Sequence, residues 1–346
     1  MMTHFPGYDV DAVEAWLQKA LPSLVLPLTW QKLEGGHSNL TYLITDAEGV
    51  KRVIRRPPLG QLLPKAHDMS REWALLCALA PTPVPVAAPL AFCEDPSITG
   101  AHFYVMGYVD GQPLYSSEDT ERLAPEQTRR RLAESFIDVL ADLHAIDPDE
   151  AGLGDLGKRD SYVARQVKTW YRSWTASVGP AGLDDPRAHE MRAFFLEHLP
   201  DQGPARIVHG DYGLHNCLIG ADQTVVAVVD WEISTLGDPM ADLAYALNIW
   251  PEKIPGETLL PHSPTSPAGF PPRRELADRY ADRTGRDLSQ LDFYLGFNRW
   301  KSACIVHGVY ARYKEGKKST EGVDLEGLRQ SIDRSLTGAA AALARF

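Results

Sequence analysis

Residues 206–245 read RIVHGDYGLHNCLIGADQTVVAVVDWEISTLGDPMADLAY, and this stretch is the most informative part of the chain. Asp211 and Asn216 lie five residues apart in a polar segment that has apolar runs on both sides. Asp230 follows a second apolar run, residues 225–229. A loop, a short turn and a buried strand that ends in a carboxylate would bring these three side chains to one edge of a small sheet.

Two carboxylates and one carboxamide in this order suit metal-assisted phosphoryl transfer. That reaction needs a residue that orients the attacking hydroxyl and hard oxygen ligands that hold magnesium on the phosphates. Asp211 suits the first role, and Asn216 and Asp230 suit the second. Alternatively, Asp211 and Asn216 serve only to form the loop and turn, because Asp and Asn favour such positions in any protein.

The same segment resembles the catalytic and metal-binding loops of the aminoglycoside phosphotransferase family, the small-molecule branch of the protein-kinase-like fold. Residues 209–211 (His-Gly-Asp) correspond to the His-Arg-Asp of protein kinases, and Asn216 has the expected offset. Residues 230–232 (Asp-Trp-Glu) replace Asp-Phe-Gly. Residues 237–239 (Gly-Asp-Pro) and 242–244 (Asp-Leu-Ala) match the family's downstream signature. The resemblance implies a kinase that uses ATP and Mg²⁺.

Four neighbouring positions qualify this resemblance. Many relatives carry His or Arg two residues after the catalytic Asp, and this chain has Gly213 there, so a side chain that would help to neutralise the transferring phosphate is missing. His209 is expected to be a hydrogen-bonded structural histidine, and the role of His215 stays open. Asp238 before Pro239 is typical of an N-cap followed by proline at the first helical position.

The resemblance also implies a phosphate-covering loop and a binding position for adenine. Gly35, Gly36, Ser38 and Asn39 lie between two predicted strands and are similar to that loop, although an ordinary hairpin would have the same composition. Two glycines let a backbone approach phosphates closely. Adenine is expected to lie against the joint between the lobes and to contact the backbone of Met106, Gly107, Tyr108 and Val109.

Arg55 stands at the position where kinase-like enzymes carry a phosphate-binding Lys, and Glu72 is its expected helix partner. An arginine is always charged and can bind phosphate through two donors, but it is not equivalent to lysine. A merely structural ion pair between Arg55 and Glu72 is the alternative.

Residues 57–67, which read PPLGQLLPKAH, narrow the resemblance. Kinase domains fused to acyl-CoA dehydrogenases, and their stand-alone relatives, are similar in this run and in having Arg at position 55. The resemblance implies a small-molecule hydroxyl acceptor such as a 4-hydroxyacyl-CoA. The basic clusters of residues 129–131 and 273–274 fit either an anionic acceptor or a solvated helix face.

Two other functions stay open. An antibiotic kinase that acts on an aminoglycoside or a macrolide would be favoured by acidic residues in the acceptor pocket. A non-catalytic nucleotide-binding protein, or pseudokinase, is suggested by Arg55 and Gly213, and the presence of Asp211, Asn216 and Asp230 argues against it.

Hydrophobic periodicity predicts an N-terminal part with a sheet plus one helix, followed by a mainly helical C-terminal part. The resemblance implies that these parts form an α+β, two-lobed, protein-kinase-like fold, with an antiparallel sheet plus a helix in the N-lobe and a mainly helical C-lobe. We predict a nucleotide-binding lobe over residues 1–108 and a catalytic and substrate-binding lobe over 109–346. The predicted strands cover residues 29–33, 40–45, 51–55, 89–93 and 102–106. The predicted helices cover residues 9–20, 68–80, 125–144, 273–284, 289–314 and 324–345, with further helices within 158–198. The predicted apolar stripe of helix 68–80 consists of Met69, Trp73, Leu76, Cys77 and Ala80.

Composition sets the remaining expectations. The 346 residues are 44% hydrophobic and 23% charged, which is ordinary for a globular protein. The net charge of 35 − 46 = −11 disfavours binding to nucleic acid or anionic membranes. Four widely spaced cysteines without a CxxC pair are typical of reduced thiols. Because the first residues also lack the pattern of a signal peptide, a cytoplasmic location is expected.

Overall fold

The computed structural model describes residues 5–33, 39–59, 68–250, 252, 262–317 and 322–346. The chain divides into two compact units. Unit 1 comprises Met1–Gln112, Asp149–Gly154 and Asn216–Ile233. Unit 2 comprises Pro113–Pro148, Asp155–His215 and Ser234–Phe346.

Unit 1 is built on a five-stranded antiparallel sheet with the strand order β1-β2-β3-β5-β4. Its strands are β1 (Thr29–Lys32), β2 (Leu40–Thr45), β3 (Lys51–Arg56), β4 (Pro89–Cys93) and β5 (Phe103–Gly107). Its helices are α1 (Val10–Ala20), α2 (Met69–Leu79) and α3 (Pro96–Thr99). An antiparallel pair, β7 (Cys217–Ile219) and β8 (Val225–Val228), completes the unit.

The buried face of helix α2 matches the predicted one only in part, at Met69 and Leu76. Cys77 and Ala80 are exposed, so the predicted apolar stripe was wrong at these positions. The buried residues of α2 are Met69, Glu72, Leu75, Leu76 and Leu79. The helix is rotated so that Glu72, with 2% exposure, points inward beside Leu75 and Leu76. A stripe defined by apolar residues leaves out Glu72, because this carboxylate is buried through its contact with Arg55 on strand β3.

The β7–β8 hairpin brings the two predicted metal ligands together. Asn216 directly precedes β7, and Asp230 follows β8 by two residues. The Val229 amide donates to the Asn216 carbonyl at 2.9 Å and extends the ladder to this end of the hairpin. Asp230 has φ +67°, a left-handed conformation that Asp tolerates better than most residues and that is common at functional positions.

Unit 2 is mainly helical, and its core is formed by long helices. Its helices are α4 (Ser117–Leu123), α5 (Arg129–Ala145), α6 (Tyr162–Ala181), α7 (Pro186–Glu197), α8 (Pro239–Leu247), α9 (Arg273–Thr284), α10 (Leu291–Lys314) and α11 (Leu325–Leu343). Its strands β6 (Arg206–Val208) and β9 (Thr235–Gly237) pair antiparallel. Helix α10 packs against α6, α8 and α11. The Asp238 carboxylate caps α8 by accepting from the Met240 amide at 3.0 Å, as its position before Pro239 predicted.

The predicted strands and long helices are found within a few residues of their predicted ends. Helix α4 and the β6–β9 pair were not predicted, because three-residue strands and a seven-residue helix carry little periodicity. Among the described residues, no helix carries an apolar stretch long enough to cross a bilayer.

Candidate active site

The loop that follows β6 carries Asp211, and helix α8 fixes its backbone. The Asp242 carboxylate accepts from the amides of His209 (2.7 Å) and Gly210 (2.9 Å). Gly210 has φ +85°, a conformation that glycine adopts without strain. His209 is fully buried, and its Nδ1 accepts from the Asp211 amide at 3.3 Å. These contacts give His209 the structural role that the sequence predicted.

A buried histidine keeps Asp242 ionised. His144 Nε2 lies 3.4 Å from an Asp242 oxygen, and His144 Nδ1 lies 2.7 Å from the Tyr280 hydroxyl. Burial alone would raise the pKa of Asp242, but the hydrogen bonds from His144 and the loop amides outweigh it, so the pKa lies below its usual value. An ionised Asp242 is the stronger acceptor for the two loop amides.

The Asp211 carboxylate is held at both oxygens. Tyr245, one turn after Asp242 on α8, donates its hydroxyl hydrogen to Asp211 Oδ1. His215 Nε2 lies 3.4 Å from Asp211 Oδ2. Burial would raise the pKa of Asp211, but the contacts with His215 and Tyr245 outweigh burial and lower it. The carboxylate is therefore oriented and ionised at neutral pH, which is the state that a residue receiving a hydroxyl proton requires.

Gly213 makes room for His215. A Cβ atom at position 213 would overlap the imidazole ring of His215. The position where many relatives carry a side chain is therefore filled here by a ring that comes from two residues further along the chain. His215, whose role the sequence left open, contacts Asp211 from that place.

A buried cation lies close to this loop. Lys301 on α10 is 8% exposed, and its Nζ lies 5.4 Å from the centre of the Tyr245 ring. Burial lowers the pKa of Lys301, while Asp242 and Asp211 oppose that shift. The positive charge supports the ionised states of both carboxylates.

A cavity of about 280 Å³ in unit 2 adjoins the catalytic loop. His215 and Tyr245, which both contact Asp211, also line this cavity. Its other walls come from the end of α8 and from α10 and α11, and they include the apolar side chains of Ile249 and Val306. The volume suits a small organic group.

In unit 1, Arg55 forms the predicted ion pair with Glu72 and a second ion pair with Asp230. Arg55 Nε donates to Glu72 at 3.0 Å, and Arg55 Nη2 donates to Asp230 Oδ1 at 2.6 Å. The strand register places Arg55 opposite Tyr104, whose hydroxyl donates to the same Glu72 oxygen at 2.9 Å. Burial would lower the pKa of Arg55, but attraction by Glu72 and Asp230 raises it, so the guanidinium stays charged.

Asn39 joins the same network. Its Nδ2 donates at 3.2 Å both to Glu72 and to Glu232, the third residue of the Asp-Trp-Glu motif. Burial raises the pKa of Glu72, and Arg55 opposes that shift. The sequence predicted a phosphate-loop role for Asn39, and the structure shows its amide bound to two carboxylates.

The donor set at the hairpin end fits magnesium. Mg²⁺ usually keeps waters and binds one or two protein ligands together with substrate phosphates. Asn216 and Asp230 supply one carboxamide oxygen and one carboxylate, and Arg55 orients that carboxylate. In the described part of the chain, no group of three or more His, Cys, Asp or Glu side chains is arranged to hold a metal alone.

The remaining predicted residues fall into two groups. Gly35, Gly36 and Ser38 lie outside the described residues, as do residues 60–67 of the proline-rich run. Met106 lies near the end of β5, and Tyr108 follows it with Lys51 Nζ 5.1 Å from the centre of its ring.

The side chains of the two basic clusters, residues 129–131 and 273–274, make contacts within the protein away from the cavity. Arg129 donates to the Ala124 carbonyl at 2.9 Å, and Arg130 pairs with Glu275 at 2.8 Å. Arg273 donates to the carbonyls of Leu247 and Trp250. Neither cluster lines the cavity beside Asp211.

A family model described as the phosphotransferase enzyme family (APH) matches residues 29–294, which is more than half of the chain. The chain belongs to this family. The description of this family names phosphotransferase activity.

Three similar proteins illustrate the relationship. Acyl-CoA dehydrogenase family member 11 of Rattus norvegicus is 33% identical over 324 residues, which are 91% of this chain and 41% of that protein. Acyl-CoA dehydrogenase family member 10 of Mus musculus is 33% identical over 322 residues, 92% of this chain and 30% of that protein. The chain thus spans well under half the length of these relatives.

The third is a solved structure from Ralstonia eutropha, provisionally described as an aminoglycoside phosphotransferase. It aligns with a TM-score of 0.81 and 29% identity over 97% of this chain and 99% of that one. This likeness confirms the predicted kinase-like fold with its antiparallel N-terminal sheet and helical C-terminal part.

Several site residues were missed by sequence reasoning. Tyr245 and Lys301 contact or neighbour the catalytic loop, and Arg299 and Arg334 line the cavity. The only sequence signal for Tyr245 is its one-turn spacing from Asp242, which places both on one face of α8. The other three lie on helices that carry no family motif.

We predict that Tyr245→Phe lowers kcat about tenfold at neutral pH, the loss expected for one hydrogen bond to a charged group. Because this hydroxyl lowers the pKa of Asp211, its removal raises that pKa. The acidic limb of the kcat profile then moves to higher pH. Rates measured between pH 4 and 8 test this, with Tyr171→Phe, which contacts His189, as the matched control. An unchanged acidic limb would show that Tyr245 does not act on Asp211.

We predict that Arg55→Ala and Glu72→Ala each weaken ATP binding and reduce kcat, and that Arg55→Lys is partly active because it restores charge without the second donor. The double variant should lose less than the sum of the single losses, since paired residues are not additive. Arg52→Ala breaks the Arg52–Asp46 ion pair on the same strand and serves as the control. Additive losses would mean that Arg55 and Glu72 do not act as a unit.

Proposed function

We propose that this chain transfers the γ-phosphoryl group of ATP to a hydroxyl group of a small molecule. The observation that carries the proposal is the position of the Asp211 carboxylate, which Tyr245 and His215 keep ionised. These two side chains also line the cavity, so the cavity lies directly beside Asp211. Asp211 orients the acceptor hydroxyl and receives its proton as the oxygen attacks the phosphorus.

The nucleotide side of the reaction falls to unit 1 residues. Arg55, fixed by Glu72, contacts the nucleotide phosphates, and Asn216 and Asp230 hold Mg²⁺. Bound magnesium would neutralise charge on the β- and γ-phosphates. The phosphate loop of Gly35, Gly36, Ser38 and Asn39 and the backbone of Met106 and Tyr108 complete the ATP site in this proposal.

We further propose that residues 1–108 act as the nucleotide-binding lobe and 109–346 as the catalytic and substrate-binding lobe. We also propose a cytoplasmic location, with which four cysteines that form no disulfide with one another are consistent.

A hydroxyacyl thioester, such as a hydroxyacyl-CoA, is the acceptor that we favour. Its support is the 33% identity to two proteins named as acyl-CoA dehydrogenase family members, over more than nine tenths of this chain. The apolar side chains of Ile249 and Val306 give the cavity a wall that suits an acyl chain.

An antibiotic kinase is the second candidate, because the Ralstonia eutropha structure carries that description. Aminoglycosides are polycations, and a site that selects them needs carboxylates. In the part of the chain that the structure describes, no Asp or Glu lines the cavity beside Asp211. The cavity therefore favours an acyl acceptor over a cationic one.

We predict that Asp211→Asn lowers kcat by ~10²–10⁴-fold, the usual worth of a general base, and leaves the Kd for ATP nearly unchanged. The assay follows phosphoryl transfer to a panel of hydroxyacyl-CoAs and antibiotics. Asp222→Asn, in the exposed turn of the β7–β8 hairpin, is the matched control.

If Asp211→Asn retains more than about a tenth of the wild-type kcat, the loss is far smaller than a general base would cause. Asp211 would then not be the residue that accepts the proton of the acceptor hydroxyl. If the wild-type protein binds ATP but phosphorylates nothing in the panel, a non-catalytic nucleotide-binding role gains support.

A further inference from the structure

The cavity beside Asp211 carries positive charge within a chain of net charge −11. Arg299 on α10 and Arg334 on α11 both line it, and no acidic side chain of the described residues does. Two arginines without a lining carboxylate give the cavity a positive potential that attracts anions.

Arg334 lacks the partner that a structural arginine would have. Its Nε is shielded from solvent and has no hydrogen-bond partner among the described residues. Leaving a buried donor unsatisfied costs free energy, ~1–3 kcal/mol for a neutral group and more for a charged one. A bound oxyanion in the cavity would remove that cost for the guanidinium group.

Arg299 is held in place from two sides. Its Nε donates to the Asn248 side-chain oxygen at 2.9 Å. Its guanidinium also occupies the space directly above Gly338 of α11, where any Cβ atom would overlap it. Helices α10 and α11 thus pack closely enough to present both arginines to the same cavity.

Hydroxyl groups accompany the arginines. Arg334 and Ser335 follow Ser331 by three and four residues, so all three share one face of α11 and line the cavity. Ser302 on α10 also lines the cavity. Serine hydroxyls beside a guanidinium are the donors that commonly complete the hydrogen bonding of a carboxylate or a phosphate.

We propose that Arg334, supported by Arg299, binds an oxyanion of the acceptor and makes this enzyme select anionic hydroxyl compounds. The inference rests on the proposed function, in which this cavity receives the acceptor. A carboxylate of a free hydroxy acid and a phosphate of coenzyme A share the required chemistry. A cationic acceptor is repelled by the same two side chains.

Binding measurements test the site without any turnover. Calorimetric titrations use coenzyme A and pentanoate as anionic probes and pantetheine and pentanol as their uncharged counterparts. We expect wild-type protein to prefer the anionic member of at least one pair. Arg334→Ala should weaken the binding of that anion by about 10- to 100-fold, which is the contribution expected of a hydrogen bond to a charged group. The affinities for the uncharged probes should stay unchanged.

Control variants separate recognition from folding. Arg334→Lys should recover part of the anion affinity, because it returns the charge without the planar fork. Arg334→Gln, which is close in size, replaces Arg334→Ala if the latter unfolds. Arg329→Ala removes an exposed arginine of the same helix that pairs with Glu326, and it should bind as the wild type does.

Kinetics then show which anion matters. A 4-hydroxyacyl-CoA, its free hydroxy acid and its uncharged N-acetylcysteamine thioester are compared as acceptors. Arg334→Ala should raise KM only for the anionic acceptor that the wild type prefers, with KM for ATP unchanged. Equal losses for charged and uncharged acceptors would overturn the inference, as would wild-type anion affinity in Arg334→Ala. A protein that binds anions through Arg334 but transfers no phosphoryl group would refute the proposed function alone.

Discussion

A buried guanidinium between two carboxylates holds together the part of unit 1 that we propose binds the nucleotide. Arg55 reaches Glu72 through Nε and Asp230 through Nη2, so one side chain joins a strand, a helix and the segment after the hairpin. The planar fork of arginine has separate donors for the two carboxylates, whereas lysine offers its donors from one atom. Breaking such a buried pair costs ~3–5 kcal/mol, because it leaves an unpaired charge. Arg55 therefore fixes the orientation of the Asp230 carboxylate.

One short helix plays the corresponding role in unit 2. Helix α8 uses Asp242 to hold the amides of His209 and Gly210, and one turn later Tyr245 holds the carboxylate of Asp211. Both the backbone and the side chain of the catalytic loop are thus fixed by a rigid element. Preorganisation of this kind lowers the cost of orienting a reacting group.

Local patterns in the sequence were enough to predict most of the helices and strands, because periodicity and spacing along the chain reflect them directly. They also singled out Asp211, Asn216 and Asp230 as site residues, which stays a prediction. They were less informative where a contact joins distant segments that carry no motif. Apolar periodicity did not predict the buried face of α2, because that face includes Glu72, whose pairing with Arg55 was implied only by the family resemblance. The arginines at 129–131 were candidates for binding an anion, but Arg129 donates hydrogen bonds to the main-chain carbonyls of Ala124 and Ala268. Arg334 carries no motif and becomes noticeable only when α10 and α11 enclose a cavity.

The most direct test of the account is the effect of magnesium on ATP binding in Asp230→Ala. Asp230 would be a ligand of the Mg²⁺ ion, which would neutralise charge on the ATP phosphates. Calorimetric titration with ATP, with and without Mg²⁺, should show that magnesium strengthens binding to the wild-type protein and has no effect on the variant, which still binds ATP alone. An equal magnesium effect in both proteins would contradict the account.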